Sequence, residues 1–201
     1  HIEDASELKL GNKKRKIVEK MISINSDQST SSSSLFFSPR FLKNPENIKK
    51  LQKNSLEFFV DFETLQELED DDDSSNLNTL FMIGCITKYK INGMQYHCEY
   101  KSFIISDLTK EEEQRITQEW IDYMNHFCKL FNNIVPNIYH WSPAEPVIYQ
   151  SLSKKWNYDL PQLTFIDLLQ VFQTEPIVIK GAFSYSLKEV SKALYHHKCI
   201  K

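Results

Sequence analysis

The chain has 201 residues, of which 41% are hydrophobic, 12% aromatic and 25% charged, and its 24 basic and 27 acidic groups leave a formal net charge of −3. That is enough for one domain of roughly 130–150 residues with a real core plus a tail, and it excludes collagen-like, disulfide-framework and wholly disordered classes. No run of about 18 apolar residues exists, so no membrane partner is expected. Four scattered cysteines (Cys85, Cys98, Cys128, Cys199) form no CxxC pair, which argues against structural zinc and for an intracellular setting, cytoplasm or nucleus. The opening His1-Ile2-Glu3-Asp4 is no signal peptide, lacking a basic segment followed by an apolar run. It also lacks an initiator Met, so further domains of a longer chain are expected.

Charge is unevenly placed. Residues 1–55 carry 11 basic and 6 acidic groups, residues 56–73 carry nine acids and no base, and the remainder is close to neutral. Lys13-Lys14-Arg15-Lys16 reads as a nuclear-import address, a phosphate-contacting patch or simply a solubilising stretch. The Ser/Thr-rich run 26–34 cannot bury apolar area. Apolar residues return at Leu35, Phe36, Phe37 and Phe41, and a short helix is predicted over 45–53. Residues 1–54 are therefore expected to be a basic, serine-rich, largely flexible segment, and 55–201 the folded domain.

In that domain, 56–63 is an aromatic and β-branched run that predicts a buried strand. An acidic loop over 67–78 precedes a second strand at 80–90, and Gly93 marks a turn into a third at 94–105. Together these make a three-strand meander. Thr109 is a candidate N-cap, with Glu111, Glu112 and Glu113 at the positive end of the following helix dipole. Ile116, Trp120, Tyr123, Met124, Phe127, Leu130 and Phe131 recur on that helix at core spacing. Residues 137–141 predict a fourth strand, and Ser142 caps a helix over 143–155 with Pro143 at its first position, where a missing N–H costs nothing. Residues 163–169 form or lead into a fifth strand. Ser186 and Glu189 form a capping box for a last helix over 187–194. The order predicts an α/β fold with a mixed five-stranded sheet flanked by helices.

The sharpest chemical feature is Asp61-Phe62-Glu63 within FFVDFETL. Two carboxylates at i and i+2 of a strand project from one face. Like charges so placed repel unless a cation neutralises them, and hard divalent ions take oxygen ligands. The plain alternative is that Asp61 opens a turn and Glu63 is solvated. The second feature is His140-Trp141-Ser142-Pro143-Ala144-Glu145, where a strand ends at His140 and Glu145 falls in the first turn of a helix. From there a carboxylate can lean towards Asp61 if the first and fourth strands are neighbours. Glu145 is otherwise a helix-dipole partner, and a packed or capping role is the commoner one for His140.

With these motifs in view, FVDFET resembles the first motif of the DEDD exonucleases in the ribonuclease H-like superfamily. HWSPAE is similar to that superfamily's second motif, with Trp141 in place of Asn and Glu145 in place of Asp. The stretches around Phe165–Leu169 and Tyr185–Val190 resemble the segment that leads to the third motif. The nearest likeness is to the YprB-type predicted nucleases, which accompany RecB-like modules and have relatives in large DNA viruses. The resemblance spans roughly residues 55–200, and the acid of the third motif has no counterpart before Lys201, so the domain is expected to be incomplete at its C-terminus.

The resemblance implies a metal-dependent nuclease with 3′–5′ exonuclease-like hydrolysis of DNA or RNA, taking a single-stranded 3′ end. It implies Asp61, Glu63 and Glu145 as catalytic ligands of two Mg²⁺ or Mn²⁺ ions, with the water activation and leaving-group stabilisation of a two-metal site. His140 and Asp167 are expected behind those ligands, and Lys180, Lys188 and Lys192 are candidate phosphate contacts, though solvated helix faces are the usual place for such lysines. Trp141 or Phe62 is available to stack a base, but Phe62 points away from the acids and is expected in the core. The competing reading is a catalytically degenerate module of the same fold that binds nucleic acid or, through the acidic loop, protein.

Overall fold

The computed structural model describes residues 11–26, 36–52, 54–65, 78–90, 95–132 and 134–200. Its elements in chain order are α1 (Asn12–Ser26), β1 (Phe37–Ser38), α2 (Pro45–Lys50), β2 (Leu56–Leu65), β3 (Thr79–Lys90), β4 (Tyr96–Ile104), α3 (Lys110–Leu130), β5 (Asn137–His140), α4 (Ala144–Trp156), β6 (Phe165–Asp167), α5 (Leu168–Thr174), β7 (Val178–Ile179) and α6 (Leu187–His196). They fall into two compact units, one spanning Lys53–Leu168 and the other built from chain on both sides of it, His1–Gln52 and Leu169–Lys201.

The central unit is α/β. Its five-stranded mixed sheet has the order β4-β3-β2-β5-β6. The expected meander is present: β3 is antiparallel to both β2 and β4, whereas β5 is parallel to β2 and to β6. Alternation along β2 sets the two faces. Leu56, Phe58, Val60 and Phe62 are buried, and Asp61 and Glu63 are exposed. On the buried face Phe62 meets the edge of Trp120, Phe58 meets Phe127, and Trp120 meets Tyr149 of α4, so α3 and α4 close one core. Phe62 is thus a core ring, as its parity requires.

Thr109 caps α3 by accepting the Glu112 N–H. Glu113, with no exposed surface, accepts from the Leu80 N–H at 2.8 Å and from Trp156 Nε1 at 3.1 Å, and its other partner is Lys155 Nζ at 3.0 Å. One buried carboxylate therefore ties β3, α3 and α4 together. Helix α4 starts one residue later than expected. Pro143 occupies the cap without a side-chain bond, while the Ser142 hydroxyl accepts the Ala144 N–H at 3.3 Å.

The second unit differs from the expected largely flexible 1–54 and single domain 55–201. Asn12–Ser26 is a helix in which Ile17, Met21 and Ile24 share a face, and Met21 is buried. Lys14 and Lys16 of the basic run are exposed on it. Asn25 Oδ1 accepts the Gly181 N–H at 2.8 Å, and Gly181 has φ +92°, a conformation only glycine adopts freely. β1 pairs antiparallel with β7. The buried Glu175 accepts from the backbone N–H groups of Lys43 and Asn44, both at 2.9 Å, and from Asn47 Nδ2. The acidic loop over 67–77, the serine-rich run 27–34 and the Gly93 turn lie outside the described residues. Among the described residues no helix is long and apolar enough to cross a membrane.

Candidate functional site

The site forms where three parallel strands end. Register pairs Phe59 with Tyr139 and His140 with Asp167. β5 stops at His140, one residue short of the level of Asp61, while β2 continues to Leu65. That leaves Asp61 at an open edge, and the turn from Trp141 to Pro143 carries the chain into α4 there. Glu145 lies in the first turn of α4 and is buried.

Asp61 and Glu145 come near enough to sense each other. The Asp61 carboxyl is raised above its ordinary value, first by loss of hydration against the sheet edge and then by the negative charge of Glu145. Among the described residues no cation pairs with Asp61. Glu63, two residues on, shares the exposed face of β2, and a register shift follows at once between Glu63 and Thr64.

The groups behind this pair are tightly held. His140 is buried, and its Nδ1 faces both the Ser142 carbonyl and Glu145 Oε2, the latter at 3.2 Å. A carbonyl only accepts, so Nδ1 carries the proton and directs it towards Ser142 and Glu145 together. Ser142 has φ +120°. Such a conformation in a non-glycine residue costs on the order of 1–3 kcal/mol. It is fixed from both sides, by His140 at its carbonyl and by Asp167 Oδ1, which accepts its N–H at 3.3 Å. Asp167 therefore acts on the turn.

The other lysines named from the sequence lie in the second unit. Lys180 follows β7, donates its N–H to Phe36 at 2.7 Å and receives His197 Nε2 on its carbonyl. Lys188 and Lys192 are exposed on α6, and Trp141 is half-buried in the turn. Among the described residues no three His, Cys, Asp or Glu side chains gather closely enough to hold an ion. What the fold does bring together is two carboxylates, oxygen donors of the kind hard divalent ions take. Sequence reasoning missed the strained Ser142 turn, whose only signal was a serine between an aromatic residue and a proline. Comparison with protein-family models and with curated proteins finds no match for this chain.

Proposed function

We propose that this chain is a ribonuclease H-like, divalent-metal-dependent nuclease that hydrolyses phosphodiester bonds of DNA or RNA in the manner of 3′–5′ exonucleases. The observation that carries the reading is the Asp61–Glu145 pair: two carboxylates placed together at the carboxyl edge of parallel strands, with no cation paired to Asp61 among the described residues. The mixed five-stranded sheet is compatible with that fold, and the motifs FVDFET and HWSPAE both converge on this edge.

Asp61 and Glu145 would hold Mg²⁺ or Mn²⁺, while Glu63 shares the exposed face of the same strand without converging on the pair. Such ions, when bound, would supply an activated water and charge stabilisation for the leaving 3′ oxygen. The chain's own work is positional. His140 aims Glu145, Asp167 and His140 pin Ser142, and the end of β5 leaves the edge open to a phosphate. A catalytically degenerate binding module of the same fold is the second reading, favoured by the absence of a third converging ligand among the described residues.

The test is cleavage of a 3′-labelled single-stranded oligonucleotide in Mg²⁺, Mn²⁺ or EDTA, with Asp61→Asn alongside. Metal-dependent cleavage lost in Asp61→Asn supports the nuclease. Activity that survives EDTA or the substitution refutes the metal site, and silence in both metals leaves the binding module.

A further inference from the structure

The sheet face that carries Asp61 continues across β3 and β4. On it Tyr100 is 66% exposed, beside Ile86 at 42% and Ile104 at 53%. Tyr100 is the cross-strand partner of Ile86, but its ring leans towards Gly84, with the hydroxyl 3.5 Å and Cε2 3.7 Å from the point where a Cβ on Gly84 would sit. Gly84 is in turn the direct partner of Asp61. Cβ positions of such partners are about 4.5–5.5 Å apart, so the tip of the tyrosine stands one side chain away from the carboxylate. A glycine inside a strand weakens it and often marks a close approach, and here the approaching group is this ring.

Four residues back along β4, about 13 Å away, Tyr96 presents a second ring on the same face. Lys88 Nζ and Lys90 Nζ sit 4.6 and 5.2 Å from its centroid. Lys88 is bonded to Glu57 at 2.8 Å, whereas Lys90 pairs with no carboxylate among the described residues. From one end of the face to the other the order is cation, ring, ring, carboxylate edge. Proteins that take single-stranded nucleic acid combine these elements, cations for the backbone and exposed rings on which bases stack. A base held in a duplex offers no free face to such a ring.

We propose that the outer face of β3 and β4 is a track for single-stranded nucleic acid leading to the Asp61 edge. Tyr100 stacks the base beside the phosphodiester to be cut, and Lys90 with Tyr96 holds the strand farther along. The choice of ligand rests on the nuclease reading. Tyr100 is a positioning residue, and its ring also covers Gly84, a packing role that Tyr100→Phe preserves.

The experiment is fluorescence anisotropy of a labelled oligothymidylate of ~12 nucleotides with the whole chain in EDTA, over a range of salt, with thermal melts of each variant. Tyr100→Ala should weaken binding by roughly 5- to 100-fold, and Tyr100→Phe should bind as the parent does. Lys90→Gln should lower the slope of log affinity against log salt by about 0.7. No binding by the parent chain, parental affinity in Tyr100→Ala, or equal loss in Tyr100→Phe and Tyr100→Ala each overturns the track. Cleavage in Mg²⁺ or Mn²⁺ is measured separately. A chain that binds through Tyr100 but never cuts keeps the track and loses the nuclease, and a chain that cuts with affinity indifferent to Tyr100→Ala does the reverse.

Discussion

Replacing Asp61 by Asn removes one of two neighbouring negative charges while keeping the side-chain shape. Like charges about 6 Å apart, a distance at which such pKa shifts arise, repel by about 0.7–2.8 kcal/mol between water-like and protein-surface dielectrics. Asp61 is exposed, so a value near the lower end, about 1 kcal/mol, is appropriate. For a chain of this size that raises the melting temperature by about 2–4 °C. The sign depends on pH. Burial and Glu145 raise the Asp61 carboxyl in the folded state, against about 3.9 in the unfolded chain. Asp61 therefore costs the parent chain nothing below about pH 4, and it costs stability as pH rises through the raised folded value. Asn escapes that loss, so the two proteins should melt together near pH 3.5 and separate at pH 7. Mn²⁺ at ten times its Kd should then stabilise the parent by about 1.4 kcal/mol and leave Asp61→Asn unmoved. Differential scanning fluorimetry across pH, with and without Mn²⁺, reads both effects. A gap between the two proteins that is independent of pH, or an equal Mn²⁺ shift in both, would refute the reasoning.

Three further outcomes are expected. Glu113→Ala strands the Leu80 N–H, the Trp156 indole N–H and the Lys155 ammonium, and should cost about 3–5 kcal/mol in urea unfolding. His140→Ala frees Glu145 and the Ser142 carbonyl, and should weaken Mn²⁺ binding by roughly 10- to 100-fold in calorimetric titration while Asp61→Asn abolishes it. Burial alone would raise Glu175, but the N–H donors of Lys43, Asn47 and Asn44 outweigh it and hold the carboxyl below its ordinary value. The stability it contributes is present above the unfolded value of about 4.3 and is lost as pH falls through the lower folded value, so the protection factors of the Lys43 and Asn44 amides, with exchange corrected for its intrinsic pH dependence, should fall on acidification.

The parts of this fold that are legible in sequence are those whose signal is local. Thr109 and Ser186 each accept the N–H three residues on, and the capping residues alone announce both helices. The strand containing Asp61 reads from its alternation, and Glu145 from its place after a strand end. Helix α1 was hidden because Lys13-Lys14-Arg15-Lys16 dominates its first turn, where positive charge opposes the dipole, while the face of Ile17, Met21 and Ile24 that buries it is narrow. β1 and β7 have two residues each, too few to show a period. The meeting of Asp61 with Glu145 depends on β2 lying beside β5, which the sequence offers only as a condition. The lean of Tyr100 over Gly84 needs the register of three strands and has no linear signature beyond a glycine within an apolar run.

The central unit treats its carboxylates in three ways, and the contrast bears on function. Glu113 is enclosed and met by backbone, indole and ammonium donors. Glu57 is buried and bonded to Lys88, with the Tyr139 hydroxyl at 3.4 Å. Both serve packing, since removing either partner would leave a buried group unpaired. Asp61 differs: its neighbour is another acid, and the lysine on its own sheet face that pairs with a carboxylate, Lys88, is already engaged by Glu57. A chain that supplies donors to its buried acids had ordinary means to neutralise this exposed one, by a lysine at the Gly84 position for instance. Instead Gly84 leaves that position open, and the Tyr100 ring lies across it. Repulsion of this kind opposes folding, so the arrangement makes physical sense if the missing positive charge arrives from outside the chain, with a phosphate beside it.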